Sequence, residues 1–112
     1  RMFEYNHYLM DPHTAVASKV YSDYRADTGD VETPTIILST ASPYKFGRSV
    51  YESIFGEVPE GMDDYAVLKE LAARTETEIP VPLRDLDQKE NRHDKVCSPE
   101  EMAGCITAFL NK

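Results

Sequence analysis

The sequence predicts a small α/β unit with one or two parallel strands and about four helices. A continuous run of β-branched and apolar side chains at residues 35–38 (Thr-Ile-Ile-Leu) is typical of a strand covered on both faces, as in a parallel sheet. Helical patterns precede and follow this run, and that alternation is the element order of α/β proteins. Residues 7–10 (His-Tyr-Leu-Met) are short, apolar and aromatic, so they are the candidate neighbouring strand.

The first two helices are predicted by apolar spacing and by their end signals. The first starts at Thr14, after the turn at Asp11-Pro12, and ends near Gly29, which can adopt the left-handed closing conformation. The second starts at Ser42-Pro43, a hydroxyl cap followed by proline, and ends at Gly56. The predicted apolar stripes are Val16, Val20 and Tyr24 in the first helix and Phe46, Val50, Ile54 and Phe55 in the second.

Two further helices are predicted in the second half of the chain. The third covers residues 63–74, and the fourth begins at the capping box of residues 98–101 (Ser-Pro-Glu-Glu). Between them, the two prolines of residues 79–83 favour an extended path along the surface, and the charged residues 84–95 favour a solvated face. The apolar stripes expected to be buried are Tyr65, Leu68, Leu71 and Ala72 in the third helix and Met102, Ile106, Phe109 and Leu110 in the fourth.

Length and composition limit the class of protein. A chain of 112 residues allows a single domain, residues 1–112, with a modest core. The net charge of −8 argues against a nucleic-acid partner, because phosphate backbones need a basic face. No apolar run is long enough for a membrane span, and residues 1–6 do not form a signal peptide. That start also lacks an ordinary initiator context, so we expect the chain to be cut from a longer polypeptide.

The cysteines and histidines give no metal motif. Cys97 and Cys105 have neither CxxC nor metal-site spacing, and His7, His13 and His93 match no ligand pattern. We therefore expect no metal and two buried structural thiols in a reduced protein. Because disulfides are rare in the cytosol, this cysteine usage predicts a cytoplasmic location.

The strongest candidate site is the hydroxyl turn, residues 39–42, between the predicted strand and the second helix. Ligands of α/β proteins bind where a strand ends and a helix begins. The free N–H groups of the helix start favour an anion or a ring heteroatom there, beside Ser39, Thr40 and Ser42. The alternative is that Ser42 only caps its helix while Ser39 and Thr40 satisfy the backbone of the turn.

Two further side chains, Lys45 and His13, are candidates for a functional site. Lys45 follows within one helical turn and can reach the same helix start, or it is simply a solvated surface charge. His13 lies at the predicted strand-to-helix turn beside Asp11, which would orient its ring as in an acid–base pair. The alternative is that Asp11 caps the helix and His13 is partly buried.

Two motifs in this order resemble the C-terminal region of the threonine synthases. They are DPHTAVA at residues 11–17 and LSTASPYKF at residues 38–46, followed by GRSVYESIFG and later by IPVPLRDL. Members of that family are pyridoxal-phosphate enzymes with the tryptophan-synthase-β-like fold, also called fold type II. The family's usual histidine in the second motif is Ser42 here, so any role of that imidazole is missing from this chain.

The resemblance implies a lyase of threonine biosynthesis that converts O-phospho-L-homoserine and water to L-threonine and phosphate. It implies that a hydroxyl of this region, Thr40 first and Ser39 next, hydrogen-bonds the pyridine nitrogen of pyridoxal phosphate. On the substrate side it suggests Lys45 for the phosphate, with Ser42, Asp11 and His13 in the same wall. The family's Schiff-base lysine and glycine-rich phosphate loop lie in its N-terminal part, so we expect no catalytic residue here and an inactive isolated chain. The lysines without the family's Schiff-base context are Lys19, Lys45, Lys69, Lys89, Lys95 and Lys112.

Three interpretations therefore follow. The first is a C-terminal fragment of threonine synthase whose partner is the rest of the same polypeptide, and which self-associates through uncovered apolar surface when alone. The second is a stand-alone, non-catalytic α/β interaction domain derived from the same fold. The third is a plain acidic α/β domain whose serines and threonines only cap helices.

Overall fold

In the computed structural model, which describes residues 2–111, the chain is helical, and no strand occurs among those residues. The helices are α1 (Met2–Asn6), α2 (Pro12–Thr28), α3 (Gly47–Phe55), α4 (Asp64–Thr75) and α5 (Met102–Leu110), with 3-10 turns at Pro43–Phe46, Val81–Leu83, Leu86–Gln88 and Pro99–Glu101. No helix in the described range combines the length and the apolar character that a bilayer crossing requires. Two residues of the sequence analysis lie outside the described range. They are Arg1, the first residue of the segment tested as a signal peptide, and Lys112, one of the six lysines named above.

The four predicted helices are all present, and α1 is an addition that no sequence pattern indicated. Helix α2 begins at Pro12, slightly earlier than predicted, and ends where Gly29 takes the left-handed conformation with φ 70°. The N–H of Gly29 donates to the carbonyl of Arg25 at 2.9 Å. At the start of the last helical segment, the carboxylate of Glu101 accepts from the N–H of Ser98 at 3.0 Å, which confirms the predicted capping interaction. These ends were predictable because each depends on residues within one turn.

The core lies where α3 packs against α4. Its buried apolar side chains are Tyr44, Val50, Tyr51, Val67 and Leu71, with Phe46, Ile54, Phe55, Leu68 and Ala72 packed around them. The stripe predicted for α3 is thus confirmed. In α4, Leu71 was predicted and Val67 was missed, whereas Tyr65, which was expected to be buried, is exposed. The approach of the two helices is close, because a Cβ added to Gly47 would lie 2.2 Å from Cδ2 of Leu68.

The predicted α/β class is wrong for the described residues. His7 has a φ of 50°, a left-handed conformation that ends α1 and does not continue as a strand. Residues 35–38 form no regular secondary structure, and no backbone hydrogen bond pairs them with another described segment. Ile36 and Leu38 are 87% and 77% exposed, so the run that predicted a doubly covered strand is uncovered here. A strand needs a neighbouring strand for its hydrogen bonds, and this chain does not present one in the described range.

The apolar face of α5 is exposed, which also corrects the sequence prediction. Phe109 is 73% exposed, and Met102, Ile106 and Leu110 are exposed as well. Helix α2 likewise leaves its predicted stripe of Val16, Val20 and Tyr24 open to solvent. The radius of gyration is 19.1 Å, whereas a compact domain of this length has about 13 Å. The described chain therefore carries apolar helix faces that its own core does not cover.

A smaller correction concerns the proline-rich segment. Residues 79–83 are not fully extended, because Val81–Leu83 form a 3-10 turn that begins after Pro80. Leu83 and Ile79 pack against the α3–α4 core. The prolines exclude a long helix or a central strand, but they permit one tight turn.

Candidate functional site

The buried carboxylate of Asp11 organises the start of α2. Asp11 is 0% exposed, and its Oδ1 accepts from the N–H of His13 at 3.0 Å and from the N–H of Thr14 at 3.3 Å. These bonds satisfy two of the free N–H groups at the helix start. The alternative interpretation, in which Asp11 caps this helix, is therefore confirmed in that respect.

The second oxygen of the same carboxylate reaches the hydroxyl turn. Asp11 Oδ2 accepts a short hydrogen bond from the hydroxyl of Thr14, and it accepts from Ser39 Oγ at 3.4 Å. Thr14 Oγ1 and Ser39 Oγ are themselves 3.3 Å apart. Asp11 thus joins the two sequence motifs, although 20 residues lie between them. The hydrogen bond from the Thr14 hydroxyl lowers the pKa of Asp11 below its usual range. Burial acts in the opposite direction, and the N–H groups of Thr14 and His13 lower the pKa further.

The ring of His13 lies beside Asp11 but points into solvent. Nδ1 of His13 is 3.2 Å from Oδ1 of Asp11, and the His13 side chain is 70% exposed. The His13 ring also lies against the ring of Phe46, with 5.1 Å between centroids. The expected His13–Asp11 pair is therefore formed, and the alternative expectation of a partly buried imidazole is wrong.

Within the hydroxyl turn, the side chains have different surroundings. Ser42 caps the 3-10 turn at Pro43–Phe46, since its Oγ accepts from the N–H of Tyr44 at 3.2 Å. Ser39 is bonded to Asp11 as described, and Thr40 is exposed. Within the described residues, the hydroxyl of Thr40 makes no hydrogen bond. Thr40 thus differs from Ser39 and Ser42 in being an exposed hydroxyl with no hydrogen-bond partner among residues 2–111.

The C-terminal side of the turn is fixed by Tyr44. This side chain is buried in the α3–α4 core, and its hydroxyl lies 2.5 Å from Oγ1 of Thr77. Thr77 in turn lies 2.8 Å from the hydroxyl of Thr75 at the end of α4. The turn is therefore held by Asp11 on one side and by the core on the other.

Lys45 is the available cation near the turn. It is exposed, and its Nζ lies 5.7 Å from the centroid of the Phe46 ring. Within the described part of the chain Lys45 forms no ion pair, whereas Arg48 is engaged by Asp64 at 2.9 Å and by the carbonyl of Met62 at 3.0 Å. Lys45 and Arg48 both line a cleft of about 370 Å³ on this side of the core. A small anion entering that cleft would thus meet one uncommitted positive charge.

Sequence reasoning missed two features of this region and of the C-terminus. Thr14 was treated only as a helix start, but its hydroxyl bridges Asp11 and Ser39; its position three residues after a capping aspartate was the available signal. Cys97 and Cys105 are free. They are half-buried and not buried as expected, and their thiols interact with each other. The hydrogen bond with the Cys105 thiol is the main cause that raises the pKa of the Cys97 thiol, and burial raises it further.

Among residues 2–111, no group of three or more potential ligands is placed to hold a metal ion.

Comparison with known proteins adds a family assignment. The profile of the family described as "Threonine synthase, C-terminal" matches residues 14–106. The threonine synthase of Corynebacterium glutamicum is 40% identical over 60 residues, which are 54% of this chain and 12% of that protein. The threonine synthase of Schizosaccharomyces pombe is 40% identical over 50 residues, which are 45% of this chain and 10% of that protein. The matched part thus spans about a tenth of the length of these curated relatives, and no solved structure matches the chain.

Proposed function

This chain belongs to the threonine synthase C-terminal family, and we propose that it forms the wall of a pyridoxal-phosphate pocket that faces the pyridine nitrogen. The intact protein would convert O-phospho-L-homoserine and water to L-threonine and phosphate. The observation that carries the proposal is the exposed, uncommitted hydroxyl of Thr40 in a turn anchored on both sides.

The surroundings of the two candidate hydroxyls favour Thr40 over Ser39 as the partner of the pyridine nitrogen. Ser39 already donates its proton to Asp11, and its oxygen lies 3.3 Å from that of Thr14. Thr40 can donate its proton without breaking a hydrogen bond among the described residues. When bound, pyridoxal phosphate supplies an electron sink for the substrate. A neutral hydroxyl donor stabilises the unprotonated ring nitrogen and so moderates how strongly the ring withdraws electrons.

On the substrate side, we assign Lys45 to the phosphate of O-phospho-L-homoserine. Its ammonium group is exposed at the cleft and has no carboxylate partner in the described chain, so an anion does not have to displace one. Ser42, which stands where the family has histidine, keeps its own proton for donation because its oxygen accepts from Tyr44. We also assign His13 and Asp11 to this wall; the His13 side chain is open to solvent, and the Asp11 carboxylate beside it is buried.

Several parts of this function would come from the rest of the polypeptide. The lysine that binds the cofactor covalently and the loop that holds the cofactor phosphate are expected there, so the isolated chain would be inactive. The same remaining part would cover the exposed faces of α2 and α5, and without it the chain would self-associate. We place the protein in the cytoplasm, which the free thiols Cys97 and Cys105 support.

A second candidate function is a non-catalytic interaction domain that retained this part of the enzyme. The uncovered apolar face of α5 favours this second function, because a large exposed apolar surface is typical of a site that binds another protein. The two candidates differ in their need for Thr40 and Lys45, which an interaction domain would not use.

The test of the proposed function compares the 112-residue chain with the full-length protein. Each is incubated with pyridoxal phosphate, dialysed, and assayed for retained cofactor absorbance and for phosphate release from O-phospho-L-homoserine. We expect both signals from the full-length protein and neither from the chain alone. Retained cofactor absorbance on the chain alone, or no activity in the full-length protein, would contradict the proposal.

A further inference from the structure

We infer that Asp11 is a positioning residue: its buried carboxylate holds Ser39 and thereby fixes the neighbouring Thr40 hydroxyl for its ligand. This inference rests on the proposed function for the identity of that ligand. The tether between Asp11 and the hydroxyl turn is independent of it.

Asp11 cannot serve a ligand directly in this structure. It is fully buried, and both of its oxygens are occupied. Oδ1 accepts from the backbone of α2 and lies beside the His13 ring, and Oδ2 accepts from the hydroxyls of Thr14 and Ser39. A buried carboxylate with four hydrogen-bond donors inside the protein acts through those donors.

The hydroxyl turn depends on this carboxylate because its preceding segment has few other attachments. Within the described range, Ser39 makes the hydrogen bonds that connect residues 35–41 to a distant part of the chain, and no other residue of that segment makes one. On the other side, Tyr44 is fixed in the core. Thr40 lies between these two anchors, so loss of the Asp11 anchor frees its backbone on one side.

The substitution Asp11→Asn separates positioning from helix capping. Asparagine is as good an N-cap as aspartate, so the N–H groups at the start of α2 keep their acceptor. However, the amide is neutral and its NH₂ group only donates, so the hydroxyls of Thr14 and Ser39 lose the charged acceptor to which they now donate. Because those hydroxyls could turn and accept from the NH₂ group, Ser39→Ala is the second variant: it removes the tether and leaves the cap of α2 unchanged. The matched control is Asp63→Asn, because Asp63 caps α4 by accepting from the N–H of Ala66 at 2.7 Å and lies outside the hydroxyl turn.

The first measurement is the backbone ¹⁵N order parameter of Thr40 in the 112-residue chain. We expect a value of about 0.85 in the wild type and in Asp63→Asn, and a value below about 0.6 in Asp11→Asn and in Ser39→Ala. An unchanged Thr40 order parameter in Ser39→Ala would overturn the tether. The order parameters of α4 serve to show that each variant remains folded.

The second measurement is the absorbance of bound cofactor in the full-length protein. We expect Asp11→Asn to shift it in the same direction as Thr40→Val, and Asp63→Asn to leave it unchanged. If Thr40→Val shifts the absorbance and Asp11→Asn does not, Asp11 does not position Thr40 and the inference is wrong. If Thr40→Val has no effect while Asp11→Asn still loosens Thr40, the tether stands and the proposed role of Thr40 is the part that fails.

Discussion

Ser39 Oγ donates a 3.4 Å hydrogen bond to the carboxylate of Asp11, a residue 28 positions earlier in the chain. This contact connects a helix start to a hydroxyl turn that has no sheet to hold it in the described structure. Because the acceptor is a buried carboxylate, the contact also depends on the charge of Asp11.

The stability of the chain should therefore depend on pH through Asp11. The Thr14 hydroxyl lowers the pKa of Asp11 in the folded state, whereas in the unfolded chain the value is about 3.9. The stabilisation is complete above the unfolded value and is lost as the pH falls through the lower folded value. We expect Asp11→Asn to reduce the urea midpoint at neutral pH, and this deficit to shrink in acid. A deficit that stays constant from neutral to strongly acidic pH would contradict this role.

The packing of α3 on α4 should be sensitive to one methyl group at Gly47. Alanine at this position would place its Cβ 2.2 Å from Cδ2 of Leu68, so Leu68 must move within the core. Because the displaced atom is the terminal methyl of a half-buried side chain beside the cleft, we expect Gly47→Ala to reduce the free energy of unfolding by up to about 1 kcal/mol, measured by urea titration of the tyrosine near-UV signal.

The control for this packing effect is Gly104→Ala in α5. A Cβ at Gly104 meets no atom within 4 Å, and alanine is the better helix former by about 1 kcal/mol. We expect Gly104→Ala to leave the urea midpoint of the tyrosine near-UV signal unchanged and to increase the helical signal in far-UV circular dichroism. Equal effects of the two substitutions would show that Gly47 is not at a close contact.

The uncovered face of α5 should drive self-association of the isolated chain. Ile106 is exposed on that face, and the neighbouring Thr107 is exposed as well, with its hydroxyl bonded to the carbonyl of Ala103 at 2.9 Å. In sedimentation velocity we expect the wild type to gain mass with concentration, Ile106→Glu to lose this behaviour, and Thr107→Glu to keep it. A wild-type chain that stays monomeric at every concentration would refute the prediction.

Lys45 should affect substrate affinity more than turnover. In the full-length protein we expect Lys45→Gln to raise KM for O-phospho-L-homoserine by about tenfold, the loss of one charge-assisted hydrogen bond, with a small change in kcat. The control is Lys19→Gln, because Lys19 is an exposed lysine of α2 paired with Asp23 at 2.6 Å. A KM for Lys45→Gln equal to that of Lys19→Gln would remove Lys45 from the substrate side.

The sequence was sufficient for features that a single turn determines. The caps at Asp11, Ser42 and Gly29 depend on side chains or backbone conformations of adjacent residues, and the structure has them as predicted. The resemblance to the threonine synthases was also readable, because it depends on short motifs in a fixed order, and the family profile confirms it.

Features that depend on distant partners were not predictable in this way. The run at residues 35–38 has the composition of a covered strand, but a strand forms only when another strand is present to pair with it. The apolar stripe of α5 predicts burial only if some surface covers it, and in the described chain none does. The Asp11–Ser39 contact had no local signal, since side chains 28 residues apart meet only through the fold.

The central claim is that Thr40 donates to the pyridine nitrogen of the cofactor, and Thr40→Val compared with Thr40→Ser tests it most directly. Both variants are made in the full-length protein, and the absorbance of bound pyridoxal phosphate and kcat are measured. We expect the valine variant, which lacks the donor, to shift the absorbance and to lower kcat by about tenfold, while the serine variant stays close to the wild type. A valine variant with the wild-type spectrum and rate would contradict the claim.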